Sequence, residues 1–186
     1  MSNNGMDYRK IVDTYFQDNA YGKNIYLIHV TLVTRKALCV GIRSVVGQEP
    51  LRFIEEAGML HDIGCCRVHF SPMRCKGSLP YLCHMTEGEK ILIAEGFPRH
   101  AGVACTHTGV GMSAEEVRER ELPLEERDYI PETIEEKIIS YADLFYSKDP
   151  EKLFFEKTPD QVREQMSVFG DRHRETFTVW HKEFGV

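Results

Sequence analysis

Apolar residues along this chain recur at spacings of three and four and almost nowhere at two. That period belongs to helices burying one face, and it leaves little room for a sheet. It predicts a short helix over Asp7–Phe16, a long one over Asn24–Val46 closed by Gly47, and a third over Leu51–Ile63 ended by Gly64. In the long helix Ile25, Leu32, Val33 and Val40 share one stripe. Later helix starts carry Ser or Thr followed three residues on by Glu or Gln, a reciprocal box that satisfies orphan amide donors. They are Thr86/Glu89, Ser113/Glu116, Thr133/Glu136 and Thr158/Gln161, the last with Pro159 at the first helical position. A final helix runs from about Phe169 to Phe184. The fold class is all-α. Cys65–Cys83 shows no period, and an unclaimed loop of that length is usually functional or mobile.

A chain of 186 residues, 42% hydrophobic and 28% charged, can bury a core and is too apolar for disorder. Its net charge of −6 argues against extended nucleic acid or an anionic membrane as partner. No apolar run approaches the roughly 20 residues of a membrane span, and Met1–Lys10 is polar without a signal core. The expectation is a cytoplasmic protein with no membrane partner. Its six cysteines include no C-x-x-C pair, so they are expected reduced and mostly buried as small hydrophobes.

The eight histidines hold the chemistry. His29 lies on the apolar stripe of the long helix and so points inward, where an imidazole needs a partner. His61 and Asp62 end the third helix. Neighbours on a helix differ by about 100° in direction, so both reach one site only if it lies off the helix end. Asp143 follows Ile139 by one turn and precedes Tyr146 by one, on a face where a carboxylate is costly unless paired or bound to metal. Taken singly, each of these residues reads as a hydrogen-bonded structural group.

Taken in order, His29, His61-Asp62-Ile63-Gly64 and Asp143 resemble the HDIG type of the HD superfamily of metal-dependent phosphohydrolases. His84, four residues before Gly88, and His107, leading into Thr108-Gly109-Val110-Gly111, extend the likeness to the six-ligand branch. That branch includes symmetrical dinucleoside tetraphosphatases and, more distantly, HD-GYP phosphodiesterases. The chain has Thr106-His107 where the latter carry paired histidines, and it lacks Gly-Tyr-Pro. The run Asp128–Asp143 is also similar to uncharacterised microbial HDIG proteins. The resemblance spans 24–147 and implies an HD-domain helical bundle. A helical extension (1–23) precedes it, and another (148–186) follows, packed on the core or at a homodimer contact.

The resemblance further implies two divalent transition-metal ions, Fe, Mn, Ni, Co or Zn. Asp62 would bridge them, His29, His61 and Asp143 completing one site and His84 with His107 the other. Imidazole and carboxylate without thiolate suit those metals. Asp62 and His61 would be the catalytic pair, and a metal-activated hydroxide would cleave a phosphate ester or anhydride of a small nucleotide.

The charge pattern agrees with a small phosphorylated partner. Residues 115–160 carry a net −8, whereas no acid falls between Asp62 and Glu87, a stretch that holds Arg67, Arg74 and Lys76. These three are the expected phosphate contacts. Lys36, two turns from His29, and His69, in the loop after the motif, are the other expected substrate contacts. His100, His173 and His181 are expected away from the metals, the last two facing solvent. Two rival readings share the ligand set: a mixed-valent diiron oxygenase of the HD fold, and a non-catalytic nucleotide-binding module.

Overall fold

The computed structural model describes residues 6–44 and 47–185. The first helix, α1 (Tyr8–Tyr15), starts where the Asp7 carboxylate accepts from Lys10 N at 3.1 Å. Asn19 plays the same part for α2 (Ala20–Ser44), its Oδ1 accepting from Gly22 N at 2.9 Å, so this helix begins before the expected Asn24. Its expected end at Val46 lies outside the described residues. After α3 (Gln48–Leu60) come α4 (His84–Ala94), α5 (Pro98–Thr106), α6 (Ala114–Glu119), α7 (Ile134–Asp143), α8 (Pro159–Ser167) and α9 (Asp171–Phe184).

The capping boxes of α6, α7 and α8 form as the sequence predicts. The one at Thr86 does not. A 3₁₀ turn at Tyr81–Cys83 runs straight into α4, the helix has already begun at His84, and Thr86 Oγ1 donates to Cys83 O at 3.2 Å. Nor is the stretch from Cys65 to Cys83 structureless. Short 3₁₀ turns flank a two-residue antiparallel ladder, β1 (His69–Phe70) with β2 (Cys75–Lys76). Buried Cys65, Met73 and Cys75 pin it down. These elements are too short to show a sequence period.

Helix α2 is the spine. It is long and apolar enough to cross a membrane by length and composition, contrary to the expectation that no such run exists. Its apolar side chains are spent inside the bundle, however: Ile25, Tyr26, Val30, Val33, Ala37 and Val40 are buried, with α3 and α7 packed alongside. One core cluster joins Val33, Phe53, Ile138 and Phe145 to Val162, Phe177, Trp180 and Phe184 of the C-terminal helices. A second joins Ile11 and Phe16 of α1 to Tyr26, Leu60, Ile63 and Leu92. Each large apolar side chain buried there is worth about 1.5–3 kcal/mol, so both terminal segments stabilise the bundle. Phe154 and Phe155 do not share in this; each is 72% exposed.

Gly64 has a different role from the expected helix stop. Helix α3 has ended at Leu60, and a Cβ on Gly64 would meet His84 O at 2.0 Å and Gly88 N at 2.4 Å. Its lack of a side chain lets the start of α4 press directly against the turn that follows Asp62.

Candidate metal centre

Helix termini converge on the middle of α2. His29 projects from α2, His61 and Asp62 follow α3, His84 opens α4, His107 follows α5, and Asp143 is the last residue of α7. The histidines and Asp62 are almost fully buried.

At three of these termini the imidazole is oriented in the same way. His61 Nδ1 lies 2.7 Å from Gly58 O, His84 Nδ1 2.7 Å from Tyr81 O, and His107 Nδ1 2.9 Å from Ala104 O. A carbonyl oxygen only accepts, so each Nδ1 carries a proton and donates it, and each Nε2 faces inward. Tyr81 also stacks on the His84 ring, with centroids 4.5 Å apart.

The Asp62 carboxylate divides the cluster. Its Oδ2 lies 3.0 Å from His29 Nε2 and 3.1 Å from His61 Nε2, while Oδ1 lies 3.3 Å from His84 Nε2 and 3.4 Å from His107 Nε2. Asp143 Oδ1 joins the first group, 3.0 Å from His29 Nε2 and 3.5 Å from His61 Nε2. Within each group, His29/His61/Asp62/Asp143 and Asp62/His84/His107, the ligating atoms all lie within 4.8 Å of one another.

These residues fit metal ions. His61 Nε2 and Asp143 Oδ1 are buried and make no well-directed hydrogen bond despite the close approach of other cluster atoms, and the Nε2 atoms of His84 and His107 face each other at 3.2 Å. Buried polar atoms rarely go unpaired, and inward-facing acceptors repel unless a cation lies among them. Oxygen and imidazole nitrogen, with no thiolate, form a donor set for divalent transition metals.

Electrostatics separate the two groups. Burial opposes charge on His61, yet the Asp62 and Asp143 carboxylates prevail and hold it up at about 9. His84 is pushed down to about 3 by burial, which the Asp62 charge does not overcome, so its Nε2 stays a bare lone pair. Asp62 is held well below the carboxylate range: burial works against its charge, but Lys148 and His61 outweigh it.

Lys148 is the residue that the sequence reasoning missed. It is 9% exposed, ion-paired to Asp62 Oδ2, with Nζ 3.3 Å from His29 Nε2. Burial would lower its pKa, but Asp62, Tyr81 and Asp143 raise it well above the usual lysine value. Its one sequence signal is its position five residues past Asp143.

The expected substrate contacts lie elsewhere. Lys36 does not lean toward the cluster; its Nζ pairs with Glu156 Oε1 at 2.6 Å and sits 3.9 Å from the Phe145 ring centroid. His69 is exposed on β1, with Nε2 3.4 Å from Ser71 Oγ. Arg67 pairs with Glu87 at 3.3 Å, and with Arg74 and Lys76 it lines a cavity that none of the six cluster residues lines. His173, expected at the surface, is 5% exposed and bound to Glu116 Oε1, with neighbouring Arg172 bonded to the same carboxylate.

No family model matches the chain. Three curated relatives are archaeal. A tRNA (cytidine(56)-2'-O)-methyltransferase of Thermoplasma volcanium is 31% identical over 147 residues, 78% of this chain and 38% of that protein. Its Picrophilus torridus counterpart is 33% identical over 99 residues, 53% of this chain and 25% of that protein. Protein MJ0778 of Methanocaldococcus jannaschii is 34% identical over 107 residues, 57% of this chain and 56% of that one. The chain thus spans only part of each relative's length.

Among solved structures it resembles the HD domain of the Listeria monocytogenes phosphodiesterase PgpH. In complex with cyclic-di-AMP, that domain gives a TM-score of 0.57 at 15% identity, covering 98% of this chain and 96% of that one. A second structure of the same domain gives a TM-score of 0.56, again at 15% identity, over 93% and 94%. The helical bundle that holds the His/Asp cluster is an HD-domain fold.

Proposed function

We propose that this chain is a metal-dependent phosphohydrolase acting on a small, nucleotide-type phosphate ester or anhydride. The observation that carries this reading is the Asp62 carboxylate, fully buried, with each oxygen turned to a separate group of imidazoles. Held by these groups, a pair of divalent cations would supply activation of water and charge stabilisation at a phosphoryl oxygen. The chain's own contribution is positioning. Three backbone carbonyls lock the imidazoles through Nδ1, and Asp62 fixes the spacing of the two groups. Lys148 brings a buried ammonium to the edge of the cluster, where it can pair with a substrate phosphate.

The PgpH likeness supports a nucleotide phosphoester as substrate, since that phosphodiesterase HD domain was solved with cyclic-di-AMP. The methyltransferase names give less support for tRNA. A net charge of −6, concentrated as −8 over residues 115–160, opposes binding of an extended polyanion.

The test is a panel of nucleotides, cyclic dinucleotides, dinucleoside polyphosphates and simple phosphoesters, assayed with Mn, Fe, Ni and Co. Turnover of a phosphoester or anhydride, abolished by Asp62→Asn, is the expected result. No turnover anywhere on the panel, with metal content unchanged in Asp62→Ala, overturns the reading. Activity supported by Mn or Ni also separates hydrolysis from diiron oxygenation, which requires iron.

A further inference from the structure

Arg67, Arg74 and Lys76 gather around a cavity of about 880 Å³ between the α1–α2 turn and the β1/β2 ladder. Tyr15, Tyr21 and Cys66 also line it, and Asp18 is the single carboxylate on its wall. Arg67 is partly neutralised by Glu87 at 3.3 Å. Among the described residues, no carboxylate lies within 4.0 Å of the charged nitrogens of Arg74 or Lys76. Two unneutralised cations in a concave wall focus positive potential, here in a protein of net negative charge.

Arg74 stands out further. Its φ of 53° is left-handed, a conformation that Gly or Asn adopts at lower cost than arginine. Asn19 Nδ2 holds the turn, donating to Met73 O at 3.0 Å and to Arg74 O at 3.3 Å. The guanidinium lies 3.9 Å from the Tyr21 ring centroid, which steadies it without neutralising it. An arginine in a backbone setting that disfavours it, spread on an aromatic face with no acid opposite, is suited to receiving an anion.

We propose that this cavity is a second, metal-independent binding site for a phosphate-bearing small molecule, with Arg74 and Lys76 as its contacts and Arg67 at its edge. The fork of a guanidinium matches phosphate oxygens, and a lysine ammonium adds a point charge beside it. The site shares no residue with the metal cluster, and two successive cysteines link them along the chain. Cys66 lines the cavity, while its neighbour Cys65 places Sγ 3.6 Å from Asp62 Oδ1. The proposal does not rest on the phosphohydrolase reading, and its test is binding rather than turnover.

The test titrates inorganic pyrophosphate into the full chain, as isolated and after chelator treatment, by calorimetry in about 0.15 M salt, near physiological ionic strength. Saturable binding of one equivalent is expected to persist after chelator treatment, when the metal centre no longer draws the anion. The double variant Arg74→Asn/Lys76→Gln should bind at least tenfold more weakly with Tm unchanged, because Asn accepts that backbone. Lys76→Glu, at an exposed position, gives a second variant whose folding is not in question and should show the same loss. Chelated Asp62→Asn should bind pyrophosphate as the chelated wild type does. Competition by ADP would make the occupant a nucleotide, and its failure a free phosphate. The proposal is overturned if chelated wild-type protein does not bind, if the cavity variants bind unchanged, or if only Asp62→Asn loses binding.

Discussion

The two sides of the Asp62 carboxylate are built differently. On the Oδ2 side stand a second carboxylate, Asp143, the imidazoles of His29 and His61, and the ammonium of Lys148. On the Oδ1 side stand two imidazoles, His84 and His107, with the Cys65 thiol 3.6 Å away. The first group carries its own charge. The second has only imidazoles of its own and depends on the shared carboxylate for any negative charge. The Lys148 ammonium offsets one carboxylate charge on the Oδ2 side, but that side still offers four ligating residues, two of them anionic, against three with one, so a cation should be held more firmly beside Oδ2 than beside Oδ1.

The largest effect should come from removing what the two sides share. Asp62→Ala is expected to lower hydrolysis by about 10³-fold or more, as loss of a central electrostatic group does. It should also destabilise the protein by about 3–5 kcal/mol in chemical denaturation, because buried Lys148 loses its partner. Stability equal to wild type would mean that Asp143 alone suffices as the Lys148 counter-charge.

Next come changes confined to one side. Lys148→Met should reduce kcat by about 10²-fold while leaving metal content intact, if the ammonium serves substrate rather than metal. Metal loss in that variant would assign Lys148 to holding the cluster together. Gly64→Ala should strike the Oδ1 side first. The new methyl collides with His84 O and Gly88 N, displacing the start of α4 at a cost of about 1–3 kcal/mol or more. Under graded chelation this variant should surrender one metal equivalent well before the other; simultaneous loss of both would erase the proposed asymmetry.

The smallest effect lies outside the centre, where Glu116 binds Ser113 N, Arg172 and His173 and so fastens α9 to α6. Burial would raise its pKa from 4.5, but those partners prevail and hold it at about 2. Its contribution is therefore complete above about pH 4.5 and lost as pH falls through about 2. Glu116→Gln should cost about 1–3 kcal/mol at pH 7, and the gap to wild type in thermal melts should close as pH drops from 5 to 2.

Much of this architecture was readable from residue spacing. Periods of three and four located the helices, and Ser113, Thr133 and Thr158 marked starts with real boxes because their side chains act locally. Asn19 caps α2 without the box residues that mark such starts, whereas Thr86 carries them but lies inside α4, because the 3₁₀ turn at Tyr81–Cys83 lets that helix begin at His84. The six clustered residues were recognisable as an ordered set through resemblance to a family, whereas no local rule points to Lys148. Its burial depends on the fold of the segment after α7, which has no period. Lys36 failed for a related reason. Spacing along α2 identified its face, but Glu156, 120 residues away, determined where its ammonium settled.

Metal stoichiometry tests the central claim that Asp62 joins two cation sites of unequal strength. Elemental analysis of protein reconstituted with Mn or Fe should find two equivalents in wild type, one in His84→Ala and none in Asp62→Ala. One equivalent or fewer in wild type, or two retained without Asp62, would contradict it.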